Sequence, residues 1–198
     1  MSVTVIAYHR DMSRWDPDAK GRLAAAARDL FVEKGFDETT VVDIATRAGL
    51  TERTFFRHFV DKREVLFAGD LMVDRMTAMF GDVPPDVPPI EFVALAIDDA
   101  CDAISSNPEW SRQRARIVAE HPDLHERELA KMSMLASVLT AGLRERGVAP
   151  TVAAVAAEAG VLALRVGYER WAAGPRSKHL APTVRVVLAE LRDVTSEL

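Results

Sequence analysis

The sequence predicts an all-α fold. Three observations carry this. Apolar residues recur at i, i+3, i+4 and i+7 through most of the 198 residues. No stretch alternates apolar and polar residues as a half-buried strand does, and no internal repeat occurs. Glycine and proline cluster at a few points, cutting the chain into about nine helical segments. The expected organisation is an N-terminal arm at 1–15, a three-helix head at 16–63 and a larger helical body at 64–198.

Composition narrows the class. The chain is 48% apolar and 28% charged, as in a soluble globular protein. No apolar run approaches the roughly 18 residues of a membrane span. The first ten residues lack the basic start of a secretory signal, so a cytoplasmic location without membrane association is expected. One cysteine, Cys101, excludes an internal disulfide framework. Net charge is −5, but it is unevenly spread. Residues 1–63 carry 11 Lys/Arg against 10 Asp/Glu, and residues 64–198 carry 14 against 20. Arg53, Arg57, Lys62 and Arg63 lie close together with only Asp61 among them. An acidic remainder repels DNA and leaves this patch to meet it.

Residues 1–15 have no periodicity and read as a frayed terminus or, through Arg10 and Arg14, as a minor-groove arm. Asp16-Pro17 is a helix start, with Asp as N-cap and Pro in the first position. Leu23, Ala26, Ala27, Leu30 and Phe31 make one apolar stripe before Gly35. A short helix follows with Val41, Ile44, Ala45 and Ala48 on one face. Thr40 and Asp43 form a capping-box variant ahead of it, and Gly49 ends it. Thr51 caps the next helix. There Phe55 and Phe59 point inward, while Arg53, Phe56 and Arg57 share an outer face. An anchored aromatic side with a cationic outer side suits a major groove.

Lys62–Phe80 reads as one longer helix, with Val65, Leu66, Met72, Val73, Met76 and Met79 on its apolar side. Four prolines within 84–89 forbid helix there. Helices are then expected at 90–106, from Pro108 to Glu120, from Pro122 to about Arg146, at 151–173, and from Leu180 to about Val194. The 151–173 helix is apolar on more than one side. Val152, Val155, Ala159, Leu162 and Val166 form one row, broadened by Val161, Leu164, Tyr168 and Trp171. Surface of that kind needs cover, either a second copy of the chain or a monomer's own core.

Residues 40–63 read Thr-Val-x-Asp-Ile-Ala-x-Arg-Ala-Gly-Leu-Thr-x-Arg-Thr-Phe-Phe-Arg-His-Phe-x-Asp-Lys-Arg. Leu30-Phe31-x-Glu33-Lys34-Gly35-Phe36 precedes them. This pattern, over about residues 17–67, resembles the TetR family of transcription regulators. The resemblance implies a helix-turn-helix at about 40–59, a homodimer paired through the last two helices, and a rigid helix linking head to body. Repression is the family's usual mode.

Two recognition helices on one two-fold axis would read a quasi-palindromic double-stranded operator. Arg53 is the leading base reader, because a guanidinium grips guanine O6 and N7 together. Thr54 and Arg57 come next, Arg57 on a base or a phosphate. The Thr40 and Thr51 hydroxyls either cap alone or also face a phosphate. His58 either donates to a phosphate or packs. Lys62 matches the lysine that family members use near this point, a phosphate contact. The family usually has Tyr where this chain has Phe56, so the ring is kept and a hydroxyl–phosphate bond is lost.

For the body, Met72, Met76, Phe92, Trp110, Arg114, Met132, Leu135, Tyr168 and Trp171 are the expected lining of an apolar effector pocket. Residues of this kind at helical spacing are core more often than pocket. The spacing Trp110-x-x-x-Arg114-x-Arg116-x-x-x-Glu120-His121-Pro122-Asp123-Leu124, with Glu169-Arg170-Trp171-Ala172, resembles the body of mycofactocin-associated regulators. That resemblance implies an acyl-CoA-like effector whose phosphates meet Arg112, Arg114 or Arg116. A lipophilic drug or metabolite is the rival effector.

No catalytic residue, metal site or cofactor is expected. His121 and His125 straddle a helix start at Pro122, and neither a phosphate loop nor a nucleophile elbow occurs. A helical protein-interaction module or a small helical enzyme would explain the helices, but neither explains the Arg53/Arg57 face.

Overall fold

The computed structural model describes residues 18–67, 70–175 and 177–196. The expected arm at 1–15 and the helix start at Asp16-Pro17 lie outside these. Among the described residues there are ten helices and no strand.

Four short helices build the head: α1 (Ala19–Lys34), α2 (Val41–Arg47), α3 (Glu52–His58) and α4 (Lys62–Leu66). The α1 stripe of Leu23, Ala27, Leu30 and Phe31 is buried against Ile44 of α2 and Phe55 of α3. The same apolar cluster takes in Ile117, Val118 and Leu124, and the packing therefore runs across the expected boundary at residue 63.

The remaining helices are α5 (Asp70–Met79), α6 (Pro89–Ser105), α7 (Pro108–Glu120), α8 (Pro122–Glu145), α9 (Pro150–Ala173) and α10 (Ala181–Ser196). Prolines at the first position start α6 to α9, where a missing N–H costs nothing. The proline-rich loop before α6 is ordered from outside, because the Arg146 guanidinium donates to the carbonyls of Val83 and Pro84.

Helix α9 is the axis of the body, packed by α8, α10, α6 and α7. Its glycines permit this closeness: a Cβ on Gly167 would sit 3.0 Å from the Val184 Cα of α10. By length and composition α9 could cross a bilayer, but Ala153, Ala157, Val161, Leu164 and Trp171 are buried within the fold. Its outer row stays open. Val152, Val155 and Leu162 are exposed, as are Val186 and Val194 on α10.

One expectation is corrected. Residues 62–80 are not a single helix: α4 closes at Phe67 and α5 begins at Asp70. The carbonyls freed at the end of α4 are taken up by the body. Arg114 of α7 donates through Nε to Leu66 O at 2.7 Å, and Lys131 of α8 donates to Phe67 O at 3.2 Å. Carbonyls that would have continued the helix are held by cations from the body.

Candidate DNA interface and effector cavity

The helix-turn-helix forms as local chemistry dictates. The Thr40 Oγ1 accepts from Asp43 N–H at 3.1 Å, and the Asp43 carboxylate accepts in return from Thr40 N–H at 2.8 Å. Lys34 beside it, with the two Thr40 bonds, holds the Asp43 carboxyl well below the usual range. The turn is a Schellman close: Gly49 N–H donates to Thr46 O and Leu50 N–H to Ala45 O, with Gly49 at φ +65°. A side chain at Gly49 would be strained there. Arg47 makes two bonds to Glu33 at 2.9 and 2.7 Å and so clamps α2 to α1.

On α3 the aromatic side is fixed. Phe55 and Phe59 are buried, with ring centroids 5.4 Å apart. The opposite side presents Arg53, Thr54, Phe56 and Arg57 around one shallow depression. Phe56 is 56% exposed. Arg53 and Arg57 make no hydrogen bond or ion pair among the described residues, so their donors face outward unused.

Thr51 caps α3 by accepting from Thr54 N–H at 3.2 Å, and the two threonine hydroxyls share a 3.1 Å bond. The Thr40 hydroxyl proton goes to Asp43 at 2.6 Å, which leaves none to give a phosphate in this arrangement. His58 is half-buried, with Nε2 enclosed and unbonded among the described residues; packing suits it better than a phosphate contact.

Lys62 departs most from expectation. Its ammonium donates to Phe36 O at 2.8 Å, Asp37 O at 3.0 Å and Thr39 O at 3.0 Å, and sits 4.6 Å from the Phe36 ring centre. All three donors are engaged inside the head, so none is left for a phosphate. Burial lowers its pKa, partly offset by Asp37. Lys62 is thus a clamp on the α1–α2 loop. Replacing it with Met is expected to lower head stability by about 2 kcal/mol, from carbonyls left without a donor. A melting curve would show it, with α3 unaltered in sequence.

The α7–α8 corner docks against the head. Phe31 and Trp110 stack at 6.2 Å, and Phe36 meets the His121 ring edge-on at 5.0 Å. Around this contact, Arg63 pairs with Asp123 at 2.9 Å and Arg127 with Asp61 at 3.6 Å. His121 Nδ1 lies 2.7 Å from Ile117 O and Nε2 lies 3.2 Å from Asp37. Only the imidazolium donates at both nitrogens, and its pKa is raised, by the Ile117 carbonyl first and by Asp37 next. A raised folded pKa means that this stabilisation is complete below the unfolded value, about 6.5, and fades as pH rises through the folded one. Melting temperatures of the wild type and His121→Gln should therefore differ most at pH 6 and converge above pH 8.

Between head and body lies a cavity of about 630 Å³. The head supplies Ala24 and Arg28 of α1 with Val65 and Leu66 of α4. The body supplies Ile104, Trp110, Arg114, Val118, His125, Glu128, Leu129, Lys131, Met132, Leu164, Arg165, Tyr168 and Glu169 among others. Of the expected lining, Trp110, Arg114, Met132 and Tyr168 are present. Met76, Phe92, Leu135 and Trp171 are not: they fill the body core at 2% exposure or less. The Met72 side chain lies outside the described residues. Residues such as Arg28 and Leu164 were not foreseen, because only the docking of α1 against α7 and α8 brings them to the same space.

Polar groups at the cavity are organised around Arg114. Its guanidinium makes two bonds to Glu128, at 3.2 and 2.5 Å, and lies 5.0 Å from the Phe67 ring centre. Burial works against its charge, yet Glu128 more than restores it and the pKa is raised. Tyr168 donates to Ser111 O at 2.5 Å, and burial raises its pKa. The expected CoA-phosphate partners are corrected here. Arg112 lies 4.1 Å over Trp171 and donates to Ser177 O, Arg114 is held by Glu128, and Arg116 does not line the cavity. Elsewhere, burial first and then Asp98 and Asp102 push the Cys101 thiol up to about 12, which keeps it protonated and unreactive.

Residues 23–68 match the family model described as bacterial regulatory proteins, tetR family. The head is thus a TetR-type DNA-binding domain. Helices α2 and α3 are its helix-turn-helix. The chain is 27% identical over 139 residues to the HTH-type transcriptional regulator EthR of Mycolicibacterium smegmatis, across 67% of this chain and 64% of that protein. The matched stretches span from 39% to 64% of the length of the curated relatives first found. In fold, the chain resembles a TetR-family transcriptional regulator from Syntrophomonas wolfei, with a TM-score of 0.67 at 16% identity over 90% of this chain and 95% of that one. It also resembles the repressor FadR of Thermus thermophilus, solved in complex with lauroyl-CoA, with a TM-score of 0.57 at 20% identity over 87% of this chain and 92% of that one.

Proposed function

We propose that this chain is a cytoplasmic repressor that holds a quasi-palindromic operator as a homodimer and leaves it when a lipophilic effector enters the head–body cavity. The observation that carries this reading is the shared wall of the cavity. An occupant touches α1 and α4 on one side and α7, α8 and α9 on the other. A ligand shifts a two-state equilibrium only through contacts that differ between the states, and contacts on both sides of a joint meet that condition.

A volume near 630 Å³ falls within the roughly 300–1,000 Å³ range of drug-sized ligand sites. Its walls at Ile104, Leu129, Met132 and Leu164 are apolar. A lipophilic body is therefore the primary requirement. FadR shows that a similar fold can take an acyl-CoA, but Arg112 and Arg114 here are engaged, so a CoA tail would need other partners. The test is a panel of lipophilic compounds and acyl-CoAs scored twice, for a rise in melting temperature and for release of bound DNA. If none does either, the effector reading fails.

The dimer reading rests on the exposed Val152, Val155 and Leu162 of α9 and Val186 and Val194 of α10. Replacing Val155 and Leu162 together with Asp is expected to give a monomer in sedimentation velocity. Operator affinity should then drop by about 10²-fold or more, because the second half-site contact loses its tether. A variant that remains dimeric would move the interface elsewhere.

A further inference from the structure

We infer that the effector is an amphipathic anion whose charged end is met by Arg28, a residue of the DNA-binding head itself. This rests on the effector reading above and deepens it.

The argument begins with the charges around the cavity. Four cations line it, Arg28, Arg114, Lys131 and Arg165, against two carboxylates, Glu128 and Glu169. The surplus is positive although the whole chain carries −5. The carboxylates already have partners: Glu128 holds Arg114, and Glu169 accepts from Arg165 at 3.4 Å. Lys131 donates to the end of α4. Arg28 differs from all of these. It is half-buried on α1 and makes no hydrogen bond or ion pair among the described residues.

A guanidinium beside an apolar, partly desolvated space gains most from an anion placed there, in paired and charge-assisted bonds. The apolar part of the lining, at Ile104, Leu129, Met132 and Leu164, accepts only hydrocarbon or aromatic surface. A ligand that satisfies both has an apolar body and one negative end, such as a long-chain carboxylate or a phosphate monoester. Arg28 lies on the helix whose inner stripe supports α2 and α3. The ligand's charge would then be bound by the head and its body by α7 to α9, so the contact would report head position directly.

The experiment is calorimetric titration of the full-length chain with dodecanoate, dodecyl phosphate, methyl dodecanoate and lauroyl-CoA, repeated on Arg28→Gln and Arg28→Lys. Expected is tighter binding of an anion than of the neutral ester, an anion affinity at least tenfold weaker in Arg28→Gln, and its recovery in Arg28→Lys. The ester should bind all three proteins alike. Carboxylate against phosphate then identifies the headgroup, and lauroyl-CoA binding with no dependence on Arg28 overturns the inference. So does an anion affinity unchanged in Arg28→Gln while the ester still binds, an outcome that leaves the cavity reading intact. If neither the anions nor the ester bind the wild type, the cavity reading fails together with the inference.

Discussion

Replacing Arg114 with Met is expected to cost the fold about 3 kcal/mol, the loss typical when one partner of a buried ion pair is removed. The pair is enclosed, with side-chain exposures of 15% and 17%. Without the guanidinium, Glu128 is left as an uncompensated carboxylate and Leu66 O loses its donor. For a chain of this size the melting temperature should fall by roughly 6–12 °C. The companion variant separates the two losses. In Arg114→Met/Glu128→Leu no charge is stranded, and only the bond to Leu66 O is missing, worth about 1 kcal/mol. The double variant should therefore be more stable than the single one, and a double-mutant cycle measures the coupling. Additive losses would show that the pair does not hold α7 to α8. The same residue ends α4, so Arg114→Met should also loosen the head on the body. Faster amide exchange at Val65 and Leu66 is the expected sign.

Arg53→Ala should abolish specific DNA binding while leaving the fold unchanged. The side chain is exposed and unbonded among the described residues, so its removal leaves nothing unsatisfied. A bidentate arginine–guanine contact is worth about 1–3 kcal/mol at each half-site. Lost twice in a dimer, it amounts to roughly 30-fold to 10⁴-fold in affinity for the operator. Binding to random duplex should change far less. Arg57→Ala is expected to behave differently if that residue holds a phosphate. It should weaken every duplex alike and lower the salt slope by about 1 for each half-site. Equal operator affinity for wild type and Arg53→Ala in a gel-shift titration would remove Arg53 from the reading face.

The head was largely legible in the sequence because its determinants are local. Capping at Thr40 and Thr51, the left-handed turn at Gly49, and the burial of Phe55 and Phe59 need only residues a few positions apart. What was missed depends on partners distant in sequence. Lys62 has the motif position of a phosphate ligand, yet carbonyls at 36, 37 and 39 surround its ammonium. The break after Leu66 has one local signal, Gly69, which the continuous apolar stripe of 62–80 outweighed, and its last carbonyls are held by Arg114 and Lys131, 48 and 64 residues away. In the body, apolar periodicity gives the helix faces but does not separate core from cavity. Phe92 and Leu135 went to the core and Met132 to the cavity, although all three sit on apolar stripes. Arg28 had no sequence signal at all, since a cation on α1 reads as solvated until α7 and α8 are docked beside it.

The claim on which the rest depends is that the outer side of α3 reads DNA. It is tested most directly by selecting duplexes from a random pool with the wild-type chain, then measuring affinity for the selected sequence across salt concentrations for wild type and the Arg53→Ala/Arg57→Ala variant. The expected result is a two-fold related sequence, bound with a steep negative dependence on salt, and loss of that preference in the variant with the fold and dimer intact. Recovery of no preferred sequence, or a variant that binds the selected duplex as tightly as wild type, would contradict it.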